Sequence, residues 1–302
     1  MKIGVVLPHL GKEISPASIA TVAQEAERQD FASLWTEERL LYPRYFVPYG
    51  NNTQGIPIPD PQRNSYEPLE TLMYAAAKTE RILLGTSVID VFFQSPLVLA
   101  RRFTALDHFS GGRAIAGIGR GWMKEEFEAA GLPFERISTG FGDYVRALHA
   151  IWGPNPVHYE GRYYSIAESD IDPKPIQLPL LLGTSAPATI KLAAKLADGI
   201  NPVFYNWDSA EATVHDYFEQ VRLNGRDPER MQIIVRVNSG ISAQPLPEAR
   251  MPLTGSYEQI HEDLQRLEAL GVKHAFFDLA GTGMSIAEQL RQMEKLRRAA
   301  DF

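Results

Sequence analysis

Two short apolar runs separated by one helix-length segment constrain this chain more than any other feature. They lie in RILLGTSVIDVFFQSPLVLARRFTALDHFSGGRAIAGIGRGW, Arg81 to Trp122, as Ile82 to Leu84 and Ala114 to Ile118. Both are nearly uncharged and bounded by Arg or Gly, the pattern of a parallel strand covered on both faces. Between them Pro96 marks a helix start, Leu99, Phe103 and Leu106 recur at helical spacing, and Ser110-Gly111-Gly112 ends the helix. Each run leads into small or glycine residues, Gly85-Thr86-Ser87 and Gly119-Arg120-Gly121. In parallel α/β architectures, ligands gather at that end of the strands.

The alternation extends along the whole chain. Ile3 to Leu7 predicts a first strand, followed by a helix with Ile19, Val22, Ala23 and Ala26 on one face. Ser33 to Thr36 predicts the second strand, leading through Glu37-Glu38-Arg39 into a long irregular insertion, Leu41 to Tyr66; Glu67 to Thr79 predicts the next helix. Lys124 to Ala130 and Phe141 to Trp152 are helical, and a second excursion, Gly153 to Pro179, contains a small hairpin around Glu160-Gly161. Strands are expected at Leu180 to Leu182, Gly199 to Val203, Ile233 to Val237 and Ala275 to Asp278. The helices between and after them are marked by Ile190, Val214, Leu264 and Leu290. Eight such units predict one α/β domain over residues 1–302, a (β/α)8 TIM barrel with insertions after strand 2 and before strand 5.

Composition excludes several classes of function. The net charge of −7, from 30 basic and 37 acidic side chains, gives no general attraction to nucleic acid or to an anionic membrane. With no cysteine there is no thiolate nucleophile, disulfide or Cys-ligated metal, and no His and carboxylate spacing suggests a metal site. No segment has the length or apolarity of a signal h-region or a membrane span, so a cytoplasmic location is expected.

In a barrel of this kind, chemistry falls on residues just after the strands: His9, Glu37 to Arg39, Ser87 to Asp90, Arg120 to Trp122, Thr184 to Ala186, Asn206, Asn238 and the segment after Asp278. Each has a plainer alternative. Gly119-Arg120-Gly121 is a tight turn or a ligand loop, and its glycine spacing is not the dinucleotide fingerprint. Gly183-Thr184-Ser185-Ala186, entering a helix, suits a phosphate through free N–H groups and two hydroxyls, or is an ordinary cap. His9 is a base or a hydrogen-bonded turn residue. Glu37-Glu38 supplies an acid or base, or is partly solvated. Tyr42, Tyr45, Phe46 and Tyr49 either cap an apolar pocket or anchor their loop.

The segments IGVVLP, LWTEERL, RILLGTSVI, SPLVLARRFTALDHFSGGRAIAGIGRGWMKEEFEAAG and DPKPIQLPLLLGTSAPATIKLAAKLADGI together resemble the bacterial luciferase-like flavin-dependent oxidoreductases, most of all the branch using the deazaflavin coenzyme F420. The resemblance covers essentially the whole barrel. It implies a cofactor ring at the C-terminal mouth against a bulge after strand three, often with a non-prolyl cis peptide, at Ser87-Val88 with Asp90 nearby. It also implies cofactor contacts at Gly119, Arg120, Gly121 and Trp122, and a phosphate loop at Gly183, Thr184, Ser185 and Ala186. Deazaflavin-dependent glucose-6-phosphate dehydrogenases of the superfamily place a histidine and a glutamate where this chain has Arg39 and Trp122. Neither residue here can act as a general base, so that acid–base pair is absent.

What the resemblance implies is hydride transfer between coenzyme F420 and a small organic substrate. Glu38 is the cofactor-side acid, Arg39 holds an anionic group, and His9 is the next candidate base. Two alternatives stand beside it: an FMN-dependent two-component monooxygenase served by a separate flavin reductase, and a flavin-binding protein without turnover. A homodimer is expected, and the long insertion is expected to act as a lid.

Overall fold

The computed structural model describes residues 1–49, 52–238 and 240–300. Eight parallel strands close on themselves: β1 (Lys2–Val6), β2 (Ser33–Thr36), β3 (Leu83–Thr86), β4 (Ala114–Gly119), β5 (Leu180–Leu182), β6 (Gly199–Ile200), β7 (Gln232–Asn238) and β8 (His274–Asp278). Closure is completed by β4 against β5, with Leu180 opposite Ala116, and by β8 against β1, with Ala275 opposite Ile3. The expected barrel is the observed fold, with both insertions where the sequence placed them.

Side chains leave each strand alternately inward and outward, and the two sets form separate cores. Val6, Trp35, Ile115, Leu181, Ile234 and Phe276 fill the interior. Their neighbours Val5, Leu34, Ala114, Leu182, Val235 and Phe277 face the helical ring. Helix α1 (Pro16–Arg28) starts with a capping box between Ser15 and Ser18, and the stripe predicted on it is buried. α2 (Pro68–Ala76) is shorter than expected and starts on Pro68; α3 (Pro96–Ser110) ends with Gly111 in the left-handed conformation, φ 70°. The ring continues with α4 (Phe141–Trp152), α5 (Pro187–Leu196), α6 (Trp207–Leu223), α7 (Tyr257–Ala269) and α8 (Ile286–Ala300).

Three differences from the sequence expectation have local causes. The third strand runs on through Gly85 and Thr86 because Gly85 lies under the Trp35 ring, where an added Cβ would come within 2.4 Å of it. The sixth strand stops after two residues, ahead of Pro202, which has no N–H to donate, and Val203 rejoins β7 only as an isolated bridge to Arg236. The first insertion is not irregular throughout: Val47–Tyr49 pairs antiparallel with Asn52–Ile56, and Asp60–Arg63 forms one 3-10 turn. Gly50, Asn51 and the Tyr49 side chain lie outside the described residues. The second excursion holds the expected hairpin, Val157–Glu160 with Ser165–Ser169. Among the described residues no helix is long and apolar enough to cross a membrane.

Candidate active site at the barrel mouth

The same alternation that builds the apolar interior dictates the polar layer above it. Two residues beyond Trp35 comes Glu37, two beyond Ile234 comes Arg236, and two beyond Phe276 comes Asp278. All three turn inward and meet. Arg236 pairs through Nη1 with Glu37 Oε2 and through Nη2 with Asp278 Oδ2 at 2.8 Å. Its Nε donates to Asn238 Oδ1 at 3.0 Å and Nη1 also donates to the Ser87 carbonyl at 2.8 Å. One guanidinium thereby ties the ends of β2, β3, β7 and β8.

Burial, the largest single influence, would raise the Glu37 carboxyl, but the charge and hydrogen bond of Arg236 together with the charges of His9 and Arg39 hold it below the ordinary carboxylate range. Burial raises Asp278 despite the same guanidinium, and Gly281 N–H donates to its Oδ1 at 2.7 Å. His9 closes the cluster from β1. The Glu37 N–H donates to His9 Nε2 at 2.9 Å, and His9 Nδ1 donates to the Leu7 carbonyl at 2.8 Å. The ring is fully buried with both nitrogens engaged by backbone.

Glu38, one residue on, faces the opposite wall. Its Oε2 accepts the Asp90 N–H at 2.7 Å, and its own N–H donates to the Val88 carbonyl at 3.3 Å. Burial and the neighbouring Asp90 charge push Glu38 well above its ordinary value. Burial, followed by the charge of Glu126, lifts Asp90 to about 7. The two adjacent carboxyls are therefore shifted in opposite directions.

Arg39 does not face this pair as a free cation. It donates to Glu126 Oε1 at 3.0 Å, with side chains only 9% and 1% exposed, and the Leu40 N–H donates to the same oxygen at 2.9 Å. Its Nε donates to Gln62 Oε1 at 3.1 Å, and its guanidinium lies 5.4 Å from the Trp122 ring centre. The anion expected at Arg39 is thus supplied from within the chain by Glu126, on the short helix Lys124–Ala129 after β4. This pairing fastens the base of the insertion to the loop after β4. Val47, Ile58 and Met123 pack there as one cluster with Tyr42 and Trp122 against it. Tyr42 donates to the Ile58 carbonyl and Tyr45 to Glu125, at 3.1 and 3.3 Å, so these tyrosines anchor the loop; Tyr45 and Phe46 stay exposed.

Between the walls lies the bulge after β3. The Ser87–Val88 peptide is cis. Ser87 N–H donates to the Thr36 carbonyl at 2.7 Å, its hydroxyl donates to Asn201 Oδ1, and Ile89–Asp90 then pairs with Ile118 and Gly119 of β4. The half-buried Val88 side chain sits between two glycines, since a Cβ on Gly119 would be 2.4 Å from its Cγ2 and one on Gly183 would be 2.7 Å from its Cγ1. The structure therefore brings the loops after β3, β4 and β5 to one place. Gly121, at φ +74°, lets the chain pass Asp90 and Phe127.

At α5 the Thr184 hydroxyl accepts the Ala186 N–H at 2.9 Å and Ser185 Oγ reaches only the Val203 carbonyl at 3.4 Å, while no side chain caps the helix. Within the first turn Pro187 has no N–H and the Thr189 N–H donates to the Ala186 carbonyl at 3.0 Å. Arg120 is half-buried and makes no hydrogen bond or ion pair with any described residue. By contrast Asn206 caps α6 and is turned away from such duty, donated to by Ser209 N–H at 2.8 Å.

Glu126, Arg236 and Asn201 were not singled out by the sequence. For Arg236 the signal was present: an arginine inside the apolar run IIVRV, at the inward phase and near the C-terminal end of its strand. Glu126 offered none, because it sits among MKEEFEAA, where a solvated carboxylate is the normal expectation. A cavity of ≈ 350 Å³ opens beside the cluster between the loops after β1 and β8, lined by Pro8, Lys12, Asp60, Ala280 and Met284 among others. A larger hollow of ≈ 530 Å³ is lined by residues of α7 and α8, including Tyr257 and Lys295, and contains none of the strand-end residues.

Residues 1–249 match the family model described as luciferase-like monooxygenase. An uncharacterized protein of Mycobacterium tuberculosis is 31% identical over 203 residues, 66% of this chain and 71% of that one. An F420-dependent glucose-6-phosphate dehydrogenase of Kineococcus radiotolerans is 30% identical over 193 residues, 62% of this chain and 52% of the relative. A 5,10-methylenetetrahydromethanopterin reductase of Methanopyrus kandleri is 28% identical over 187 residues, 56% and 53%. These two matches span about half of each enzyme. Among solved structures, monooxygenase RslO1 from Streptomyces bottropensis superposes with a TM-score of 0.79 at 20% identity, over 99% of this chain and 98% of that one. An F420-dependent secondary alcohol dehydrogenase gives 0.79 at 16% identity, again over 99% and 98%. At these identities the superpositions establish the shared barrel.

Proposed function

This chain belongs to the luciferase-like monooxygenase family, and from that premise we propose that it binds coenzyme F420 and transfers a hydride between that deazaflavin and a small organic substrate. The observation that carries the reading is the Glu38–Asp90 wall beside the Ser87–Val88 bulge. A hydride delivered to a carbonyl-like carbon leaves an oxygen or nitrogen that needs a proton, and two buried carboxyls held above their ordinary range keep one available near neutral pH. The F420-dependent glucose-6-phosphate dehydrogenase among the relatives, matched over about half its length, supports the same choice.

The residues present suit such a cofactor. Val88 offers an apolar contact for a flat ring, while the uncapped first turn of α5 and the unpaired Arg120 suit its phosphate. When bound, the deazaflavin supplies the hydride-donating or hydride-accepting carbon. The chain's own share is the rest. Ser87 and Val88 set the floor, and Glu38 holds or takes the proton at its carboxyl, which burial first and the Asp90 carboxyl second raise well above its ordinary range. Gly119 and Gly121 leave room for this wall, and Trp122 with the insertion closes the mouth against water. Gly183, Thr184, Ser185 and Ala186 form the phosphate loop. His9 is assigned a positioning role, holding Glu37, because both its nitrogens are already committed. Arg39 is assigned to lid anchoring rather than to the anion.

The test is oxidation of reduced coenzyme F420 by a panel of ketones, aldehydes, imines and activated alkenes under anaerobic conditions. Substrate-dependent turnover without oxygen supports the reading. Turnover seen only with reduced FMN and oxygen replaces it with the two-component monooxygenase, which would call for a separate reductase. Tight binding with no turnover of any panel member leaves a flavin-binding protein.

A further inference from the structure

Arg236 is the most heavily engaged side chain at the mouth, yet nothing in the proposed chemistry uses it. Its guanidinium presents five N–H donors in a rigid fork. Nε goes to Asn238, Nη1 to the Ser87 carbonyl and Glu37, and Nη2 to Asp278. Three of these partners only neutralise or brace the cation. The fourth, the Ser87 carbonyl, belongs to the bulge on which the cofactor ring is proposed to lie, and Ser87 is separated from Arg236 by 149 residues. Side-chain exposure of 15% leaves the fork almost no solvent to fall back on.

We infer that Arg236 is a positioning residue that fixes the Ser87–Val88 floor from beneath, with Glu37 and Asp278 serving as its counter-ions rather than as catalytic acids. The inference rests on the proposed cofactor site. The arrangement explains why adjacent glutamates behave differently: Glu37 is consumed in holding the fork, and Glu38 is left for the proton. A lysine could not replace the arginine, since a point charge cannot reach a carbonyl and two carboxylates on different strands in one plane.

Removing the cation should show itself in a way that simple loss of packing would not. The charged and titratable groups facing Glu37 are Arg236 from β7, His9 from the loop after β1, Arg39 from its own loop, Asp278 from β8 and Asp90 from the opposite wall. Of these Arg236 lowers Glu37 the most, so without it burial should carry the Glu37 carboxyl upward. Arg236→Met is therefore expected to lower turnover by about 10²-fold, the scale of a small misplacement at a reacting centre, and to add a new ionisation to the pH profile. Because that variant leaves a buried carboxylate unpaired and can fail to fold, Arg236→Met/Glu37→Gln is made alongside it. The double variant should fold, keep the turnover deficit and lose the new ionisation.

The measurement is cofactor affinity by fluorescence titration with F420 and FMN, with the pH profile of turnover, on the parent, Arg236→Lys, and the two Met variants. A parent that binds neither cofactor removes the functional reading and this inference with it. A parent that binds and turns over, accompanied by an Arg236→Met/Glu37→Gln protein of equal affinity and equal turnover, overturns the inference alone. Arg236→Lys at parental activity overturns it equally.

Discussion

Glu37 and Glu38 share a peptide bond, yet Glu37 accepts from Arg236 at the β7 side of the mouth while Glu38 accepts the Asp90 N–H from the bulge after β3. The split follows from strand geometry, since successive side chains leave opposite faces. It separates a carboxyl held below its ordinary range from one pushed well above it, and the roles in the proposed chemistry rest on that separation.

Glu38→Gln keeps the size and hydrogen-bonding shape but cannot give up or take a proton. Turnover with saturating cofactor should fall by about 10²–10⁴-fold, with cofactor affinity changed far less. Steady-state rates beside a binding titration check this; a variant turning over within about threefold of the parent, well under that range, removes Glu38 from the chemistry.

Asp90 gives a pH-dependent stability prediction. Its carboxyl is raised from an ordinary 3.8 to about 7 in the folded chain, chiefly by burial. A raised folded value means no cost below the unfolded value and a growing cost as pH climbs towards the folded one, so the parent loses stability between about pH 4 and 7 through this group. Asp90→Asn should be more stable than the parent at pH 8 by up to about 4 kcal/mol, at 1.36 kcal/mol per unit, and nearly equal at pH 4. Chemical denaturation of the cofactor-free proteins at the two pH values measures it. An equal difference at both would show that Asp90 is not buried as a neutral acid.

Ser185→Glu/Ala186→Glu puts carboxylates at the N-terminus of α5. A negative charge there favours the helix by about 0.3–1 kcal/mol, so folding should hold while an incoming phosphate meets repulsion. Cofactor affinity should drop severely with an unchanged melting temperature, and unchanged affinity would move the phosphate elsewhere.

The ion pair of Arg39 with Glu126 is nearly shielded from solvent. Glu126→Gln leaves a buried guanidinium short of its counter-ion and should cost about 3–5 kcal/mol, whereas Arg39→Met/Glu126→Met should recover most of that. If the pair fastens the insertion as a lid, proteolytic nicking within residues 41–66 should rise in the single variant and fall back in the double one. Equal nicking in all three proteins would argue that the insertion is held by its Val47, Ile58 and Met123 cluster alone.

The barrel was legible because its strands are apolar on both faces and its helices carry stripes; even Leu180–Leu182, three residues long, stood out between prolines and glycines. The polar layer was legible only in part. Glu38, Asp90 and the three glycine-bearing loops follow strand ends in the sequence, so position alone placed them at the mouth. Arg236 lies inside a strand and Glu126 inside a helix, and their meaning comes from partners 149 and 87 residues away, Ser87 and Arg39. No local pattern encodes such pairings. The pairing of Arg39 with Glu126 was out of view for the same reason.

The claim on which the rest depends is that this mouth serves a deazaflavin. Equilibrium titration of the purified protein with coenzyme F420 and, separately, with oxidised and reduced FMN tests it most directly, read by cofactor fluorescence and repeated on Ser185→Glu/Ala186→Glu. The account predicts saturable F420 binding, FMN binding weaker by about tenfold or more, a gap of about 1.4 kcal/mol, and loss of both in the variant. Preferential binding of reduced FMN, or F420 binding untouched by the two carboxylates, would contradict it.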